Sequence, residues 1–390
     1  MINILALNCG SSSLKFGLYR SDDSVCEMVF FGEIESIGGD KSKFQLRDLL
    51  ENTLLSEAVA IASHEDAIIR IARLFAENQL PMPDAIGHRV VHGGPRLRNH
   101  CKIDKHVLHE LEAAISFAPL HTPSTVAVIR FAIEHFPDLP QVACFDTTFH
   151  KDLPEVARVL PIARELQLEG IQRYGFHGLS CESVLRQLEP NMPARLIIAH
   201  LGNGASVTAV EDAKSVDTSM GLTPAGGLMM GTRSGDLDPG VLLYLLQQNK
   251  FDADMLEDLL NHQSGLLGIS GLSSDMRVLH AAAASNKAAA LAIRMFCYFV
   301  RKEISAMIAA MEGIDMLVFT GGIGENDAIV RDEICSGLSW IGILLDEASN
   351  QAGSNPIHKL SSSCAVHVLA SQEDRQIALH TYALCSGRDS

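Results

Sequence analysis

Three stretches of this chain set glycine beside residues that handle phosphate or carboxylate groups. Gly10-Ser11-Ser12-Ser13 joins two apolar runs, Ile2–Leu7 and Leu14–Tyr19, and one cation, Lys15, follows at once. His200-Leu201-Gly202-Asn203-Gly204 follows the run Leu196–Ala199, and Thr320-Gly321-Gly322-Ile323-Gly324-Glu325-Asn326 follows Met316–Phe319. Glycine directly after a buried strand lets a ligand approach the backbone at the carboxyl end of a sheet. Consecutive backbone N–H groups and serine hydroxyls can then ring a phosphate. None of the three is a Walker loop or a dinucleotide fingerprint opening a helix; GNGASV leads into a strand instead. Taken alone, the first reads as a solvated hairpin turn, but three such turns are hard to explain as accidental loops.

Charged residues stand at similar places. Arg89 lies in GHRVVHGG just ahead of Gly93-Gly94, and Arg233 lies in GLMMGTRSGDLDPG beside Asp236 and Asp238. Asp146 ends the apolar run Gln141–Phe145. A planar guanidinium matches carboxylate or phosphate oxygens two at a time. His88 and His92 have the H-x-x-x-H spacing, yet they fall in a strand with no glutamate between them, so zinc is not expected. His177, crowded by Tyr174, Gly175, Phe176 and Gly178, reads equally as a functional or a packed histidine.

The elements that must hold these residues alternate apolar strand runs with longer helical patterns, which points to α/β architecture. A length of 390 residues suggests two domains. Asn3–Tyr19 and Arg195–Val210 share a strand, glycine turn, strand layout, which fits either a duplicated unit or two unrelated hairpins. With 31 basic and 47 acidic residues the net charge is −16, which disfavours nucleic acid and anionic membranes as partners. No apolar run is long enough to span a bilayer, the N-terminal run is broken at Asn8, and no targeting leader is expected. The richest stretch, residues 288–311, carries Arg294, Arg301, Lys302 and Glu303 and reads as a buried helix; most of 275–311 is expected to be helical. Nine scattered cysteines without C-x-x-C suit reduced thiols in a cytoplasm.

Read together, NCGSSSLKF, GHRVVHGG, FDTTFH, RYGFHGLS, HLGNGASV, SVDTSMGLTP, GTRSGDLDPG and FTGGIGEN closely resemble the acetate kinase family, in order and over nearly the whole chain. That resemblance implies the sugar-kinase/Hsp70/actin superfamily: two duplicated ribonuclease-H-like α/β domains with an active-site cleft between them. The first would be 1–147 with a C-terminal helix at about 376–390, the second 148–375 with the nucleotide site. Domain closure and a homodimer are implied as well.

By the same resemblance, ATP and acetate would exchange a phosphoryl group reversibly and in line, giving ADP and acetyl phosphate. Arg89 and Arg233 would meet the carboxylate and the transferring group, His177 an equatorial oxygen, with His121 nearby and Asp146 as orienter. Ser11, Ser12 and Lys15 would form one phosphate turn, and His200, Leu201, Gly202, Asn203 and Gly204 the other. Asp275, Met276 and Arg277 with Gly322, Ile323, Gly324, Glu325 and Asn326 would take the adenosine. Mg²⁺ (or Mn²⁺) would sit at Asn8 and at Glu373 rather than Asp374. Val91, Leu120, Phe176 and Pro224 would surround the methyl group, with valine at 91 favouring acetate.

Propionate phosphorylation is the alternative, and a non-catalytic, ATP-driven conformational sensor a remoter one. Departures from the family's strings occur at Thr122, Cys181 and Ala225-Gly226.

Overall fold

The computed structural model describes residues 1–387 except 11, 40, 51, 78, 79, 120, 249 and 250. The chain forms two compact units: Met1–Lys151 with Gly178–Ser183 and Gln372–Ser390, and Asp152–His177 with Val184–Ser371.

In the first unit the strands are β1 (Ile2–Cys9), β2 (Ser13–Ser21), β3 (Cys26–Glu35), β4 (Ser42–Asp48), β5 (Thr53–Val59), β6 (Ala85–Val90), β7 (Cys101–Lys102) and β8 (Gln141–Phe145). They order as β5-β4-β3-β2-β1-β6-β8-β7. β1 pairs antiparallel with β2 and parallel with β6, which pairs parallel with β8. β1 is apolar without a break from Ile4 to Leu7 because both faces of the sheet are covered. Leu5 and Leu7 pack with Ile68, Ile71 and Phe75 of helix His64–Glu77, while Ile4 and Ala6 pack with Ile377 and Ala378 of helix Glu373–Cys385. Gly87 on β6 is where that last helix lies closest: a Cβ there would run into Thr381 and Ile377. This contact seats the start of the helix, Glu373 and Asp374, near Arg89.

The second unit carries β9 (Arg195–Leu201), β10 (Ala205–Glu211), β11 (Lys214–Thr218), β12 (Met316–Thr320) and β13 (Ala365–Val368) in the order β11-β10-β9-β12-β13. β9 and β10 form a tight antiparallel hairpin, and β9, β12 and β13 run parallel. This repeats, strand for strand, the β3-β2-β1-β6-β8 part of the first sheet, so the shared layout of the two hairpins reflects a duplicated ribonuclease-H-like unit.

The helical stretch 275–311 is two helices, Met276–Ala283 and Lys287–Ala310. Asn286 divides them by capping the second: its side chain accepts from Ala288 and Ala289 N–H at 2.9 and 3.2 Å. No described helix is long and apolar enough to cross a membrane.

Candidate active site

In the first unit, Arg89 near the end of β6 and Asp146 just past β8 come side by side because their strands pair in parallel. The Arg89 guanidinium grips Asp146 through Nε to Oδ2 at 3.0 Å and Nη2 to Oδ2 at 2.6 Å. Its Nη1 donates to Asn8 Oδ1 at 3.0 Å. Glu373 Oε2 lies 3.9 Å from Arg89 Nε. Burial pushes Asp146 up to about 6, against the lowering pull of Arg89. The bonded carboxylate leaves Arg89 fixed in direction, with only part of its fork occupied.

Asn8 turns its amide nitrogen to two carboxylates, Glu373 Oε2 and Asp374 Oδ1, each at 3.3 Å. Asp374 is thus as close to Asn8 as Glu373 is, although the sequence singled out Glu373 alone. Burial, then the neighbouring Glu373, pushes Asp374 up to about 6. Crowded acidic oxygens that resist ionising fit a hard dication such as Mg²⁺, which takes oxygen ligands and relieves their repulsion. The Asn8 oxygen itself faces Arg89.

Elsewhere in this unit the β1–β2 turn closes through Gly10 N–H to Ser13 O at 2.8 Å. Ser12 is exposed there, and Lys15 extends from β2 with its side chain 57% exposed and Nζ 3.7 Å from Glu33. Val91 directly follows β6 and is buried, and His121 directly precedes helix Thr122–His135. Ser11 and Leu120 lie outside the described residues. His88 is buried with Nε2 2.7 Å from Gln141 Oε1.

In the second unit three expected residues meet at one point. Gly204 sits in the β9–β10 turn, closed by Gly202 N–H to Gly204 O at 2.9 Å. A Cβ placed on Gly204 would lie 3.3 Å from His177 Nε2 and 3.7 Å from Arg233 Nη1. His177 reaches this point with a left-handed backbone, φ 57° and ψ 26°. That conformation costs a non-glycine residue about 1–2 kcal/mol. Its ring stacks on His200 at 4.2 Å, and Nδ1 is 2.9 Å from Ser206 Oγ. Arg233 Nη1 donates to Pro224 O at 3.3 Å. Two cationic or N–H-bearing tips over a glycine backbone make a cradle for developing negative charge. Phe176, next to His177, is buried. Ser206 was not singled out from sequence; its place directly across the hairpin from His200 was the available signal.

The same turn opens into a cavity of about 580 Å³ lined by Gly202, Asn203, Asp275, Met276, Arg277, Gly322, Ile323 and Asn326, and also by Ser274 and Asp327. Asp275 caps its helix and pairs with Arg277 at 2.6 Å. Glu325 does not line this cavity: its Oε1 accepts from Gly321 N–H and Ser371 N–H, both at 2.9 Å, and so pins the glycine turn. Gly324 lies against the backbone of β12, and Leu201 is buried at the end of β9.

Glycine turns after parallel strands, repeated in two units of one strand order and accompanied by convergent arginine and histidine, define a phosphotransferase. Residues 3–379 match the model of the Acetokinase family, and the chain belongs to that family. It is 42% identical to acetate kinase of Methylocella silvestris, covering 98% of this chain and 97% of that one. It is 38% identical to acetate kinase of Campylobacter lari, covering 99% and 100%. Among solved structures, a propionate kinase from Francisella tularensis superposes with a TM-score of 0.92 at 39% identity, over 98% of this chain and 100% of that one. The Porphyromonas gingivalis acetate kinase does so with 0.87 at 35%, over 99% and 100%.

Proposed function

We propose that the chain transfers the terminal phosphoryl group of ATP to acetate, reversibly and in a single in-line step. The observation that carries this reading is the convergence of His177 Nε2 and Arg233 Nη1 on the Gly204 backbone. A carboxylate oxygen attacks the terminal phosphorus, the bond to the bridging oxygen breaks, and ADP leaves with the electron pair. Acetate is already ionised near neutrality, so no general base is needed, and catalysis is positioning and charge neutralisation. Arg89, held by Asp146, takes the carboxylate, and His121 assists near the transferring group. Arg233 and His177 take the oxygens of the phosphoryl group. The nucleotide occupies the 580 Å³ cavity, with its phosphates toward the Gly202–Gly204 turn. Glu373 and Asp374 would hold Mg²⁺, which when bound neutralises charge on the terminal phosphates. Asn8, expected as a ligand, instead orients both carboxylates through its amide nitrogen while its oxygen takes Arg89.

Acyl phosphate trapped with hydroxylamine, with acetate, propionate and butyrate offered in parallel with Mg-ATP, tests this reading. Hydroxamate formed fastest from acetate is expected; none from any acid overturns it. The propionate kinase superposition favours a second reading, propionate as the preferred acid, and the same comparison ranks the two.

A homodimer is part of the proposal. Helix Pro239–Gln247 turns Val241, Leu243, Tyr244 and Leu246 outward at 40–60% exposure, a face that a second copy would cover. Sedimentation checks it, and a monomer at micromolar concentration rejects it. The nine free cysteines suit a reducing cytoplasm.

A further inference from the structure

His100, Glu182 and His380 bring three potential ligand atoms within 4.8 Å of one another in the first unit. His380 Nε2 donates to Glu182 Oε2 at 2.6 Å, and Gln376 Nε2 donates to the same oxygen at 3.3 Å. His100 has a side chain only 5% exposed, and its Nε2 faces Glu182 Oε1 at 3.7 Å. Two imidazoles and a carboxylate are a common transition-metal set, but the tautomer argues against that here. Nδ1 of His100 accepts the Phe145 N–H at 3.0 Å. The neutral ring therefore carries its proton on Nε2 and has no lone pair there for a cation. What remains is a largely buried carboxylate held by the His380 imidazole N–H and the Gln376 amide, with the His100 N–H facing its other oxygen beyond hydrogen-bond reach. Burial alone would raise its proton affinity, yet the His380 hydrogen bond and the facing His100 imidazole hold it well below the usual carboxylate range.

The three segments tied to Glu182 are the ones that deliver the acidic groups of the site. Phe145, bonded to His100, immediately precedes Asp146. Gly178, the first residue of the Glu182 helix Gly178–Leu188, donates its N–H to Asp146 O at 2.8 Å. Gln376 and His380 belong to helix Glu373–Cys385, which starts with Glu373 and Asp374. We propose that Glu182, hydrogen-bonded to His380 and Gln376 and faced by His100, is a positioning residue that sets Asp146 against Glu373 and Asp374. It rests on the reading that these acids serve the carboxylate and Mg²⁺ side of the reaction.

The test compares Glu182→Gln, His380→Gln and His380→Leu for thermal stability and for three constants: the KM of acetate, half-saturation by Mg²⁺, and the KM of ATP. Glu182→Gln and His380→Leu should raise the first two roughly tenfold, the scale of one charge-assisted hydrogen bond, and leave the KM of ATP within about twofold. His380→Gln, which keeps a donor for Glu182, should stay near the parent. If Glu182→Gln does not fold, the His380 pair decides. Equal movement of all three constants, or of none, overturns the proposal while a parent that makes acyl phosphate leaves the function standing. A transition metal bound stoichiometrically to the parent and lost in Glu182→Gln also overturns it. A parent that makes no acyl phosphate removes both.

Discussion

His177 Nδ1 lies 2.9 Å from Ser206 Oγ, and this bond decides which ring nitrogen faces Gly204. The stacked His200 ring limits tilt, while the serine fixes rotation about the ring axis. Ser206→Ala should therefore lower kcat about tenfold and leave the KM of ATP nearly unchanged, as expected for one lost hydrogen bond on a buried polar group. Steady-state kinetics on the purified variant measures this, and a kcat within twofold of the parent contradicts it.

Gly204 is not among the glycines with left-handed backbone, so alanine can adopt its conformation. The added Cβ would nevertheless stand 3.3 Å from His177 Nε2, in the space a phosphoryl oxygen needs. Gly204→Ala should keep the parent's melting temperature while kcat falls roughly 10²-fold, the usual effect of a misplacement of about 1 Å. A variant that melts normally and turns over within threefold of the parent rules out a reacting group at this point.

Val91 tests the choice of acid. Valine to alanine removes two methyl groups, and one methylene of fit is worth about 10–200-fold in discrimination. The ratio of propionate to acetate use, as kcat/KM, should rise at least about fivefold in Val91→Ala. An unchanged ratio shows that Val91 does not meet the substrate's alkyl end.

His88 gives a pH dependence of stability. Burial pushes its imidazole down to about 4, partly offset by the Gln141 hydrogen bond. The folded form keeps the ring neutral, while the unfolded chain binds a proton below about 6.5. The stability is therefore complete above that pH and is lost as pH falls toward 4, by roughly 3 kcal/mol. Denaturant midpoints at pH 7 and 4.5 should differ less in His88→Asn than in the parent. Equal differences would place the acid sensitivity elsewhere.

Much of this fold was legible in the strands that surround the site. β1, β9 and β12 are largely apolar on both faces and are each followed directly by glycine, so their type and their functional ends both stand out. β4 was not legible: of its seven residues only Ser42, Phe44 and Leu46 are buried, and just two of these are apolar, among Lys43, Gln45, Arg47 and Asp48. Helix Glu373–Cys385 was expected, at about 376–390, only through the family resemblance and not from the residue pattern. Its buried face includes Gln376 and Thr381, so its amphipathic contrast is weak although it supplies two acids of the site. Asp374 and Ser206 were missed because their role depends on which neighbours the fold brings to Asn8 and His177, and no spacing in the chain encodes that.

The account depends most on Arg233, whose Nη1 points to the same place as His177 Nε2. Single-turnover transfer from ATP to acetate in Arg233→Ala, with nucleotide affinity measured on the same preparation, tests it directly. Transfer slowed about 10³-fold with ATP affinity within about threefold is expected, on the scale of arginines that stabilise phosphoryl transfer. Transfer within tenfold of the parent would contradict a role for this arginine in the reaction.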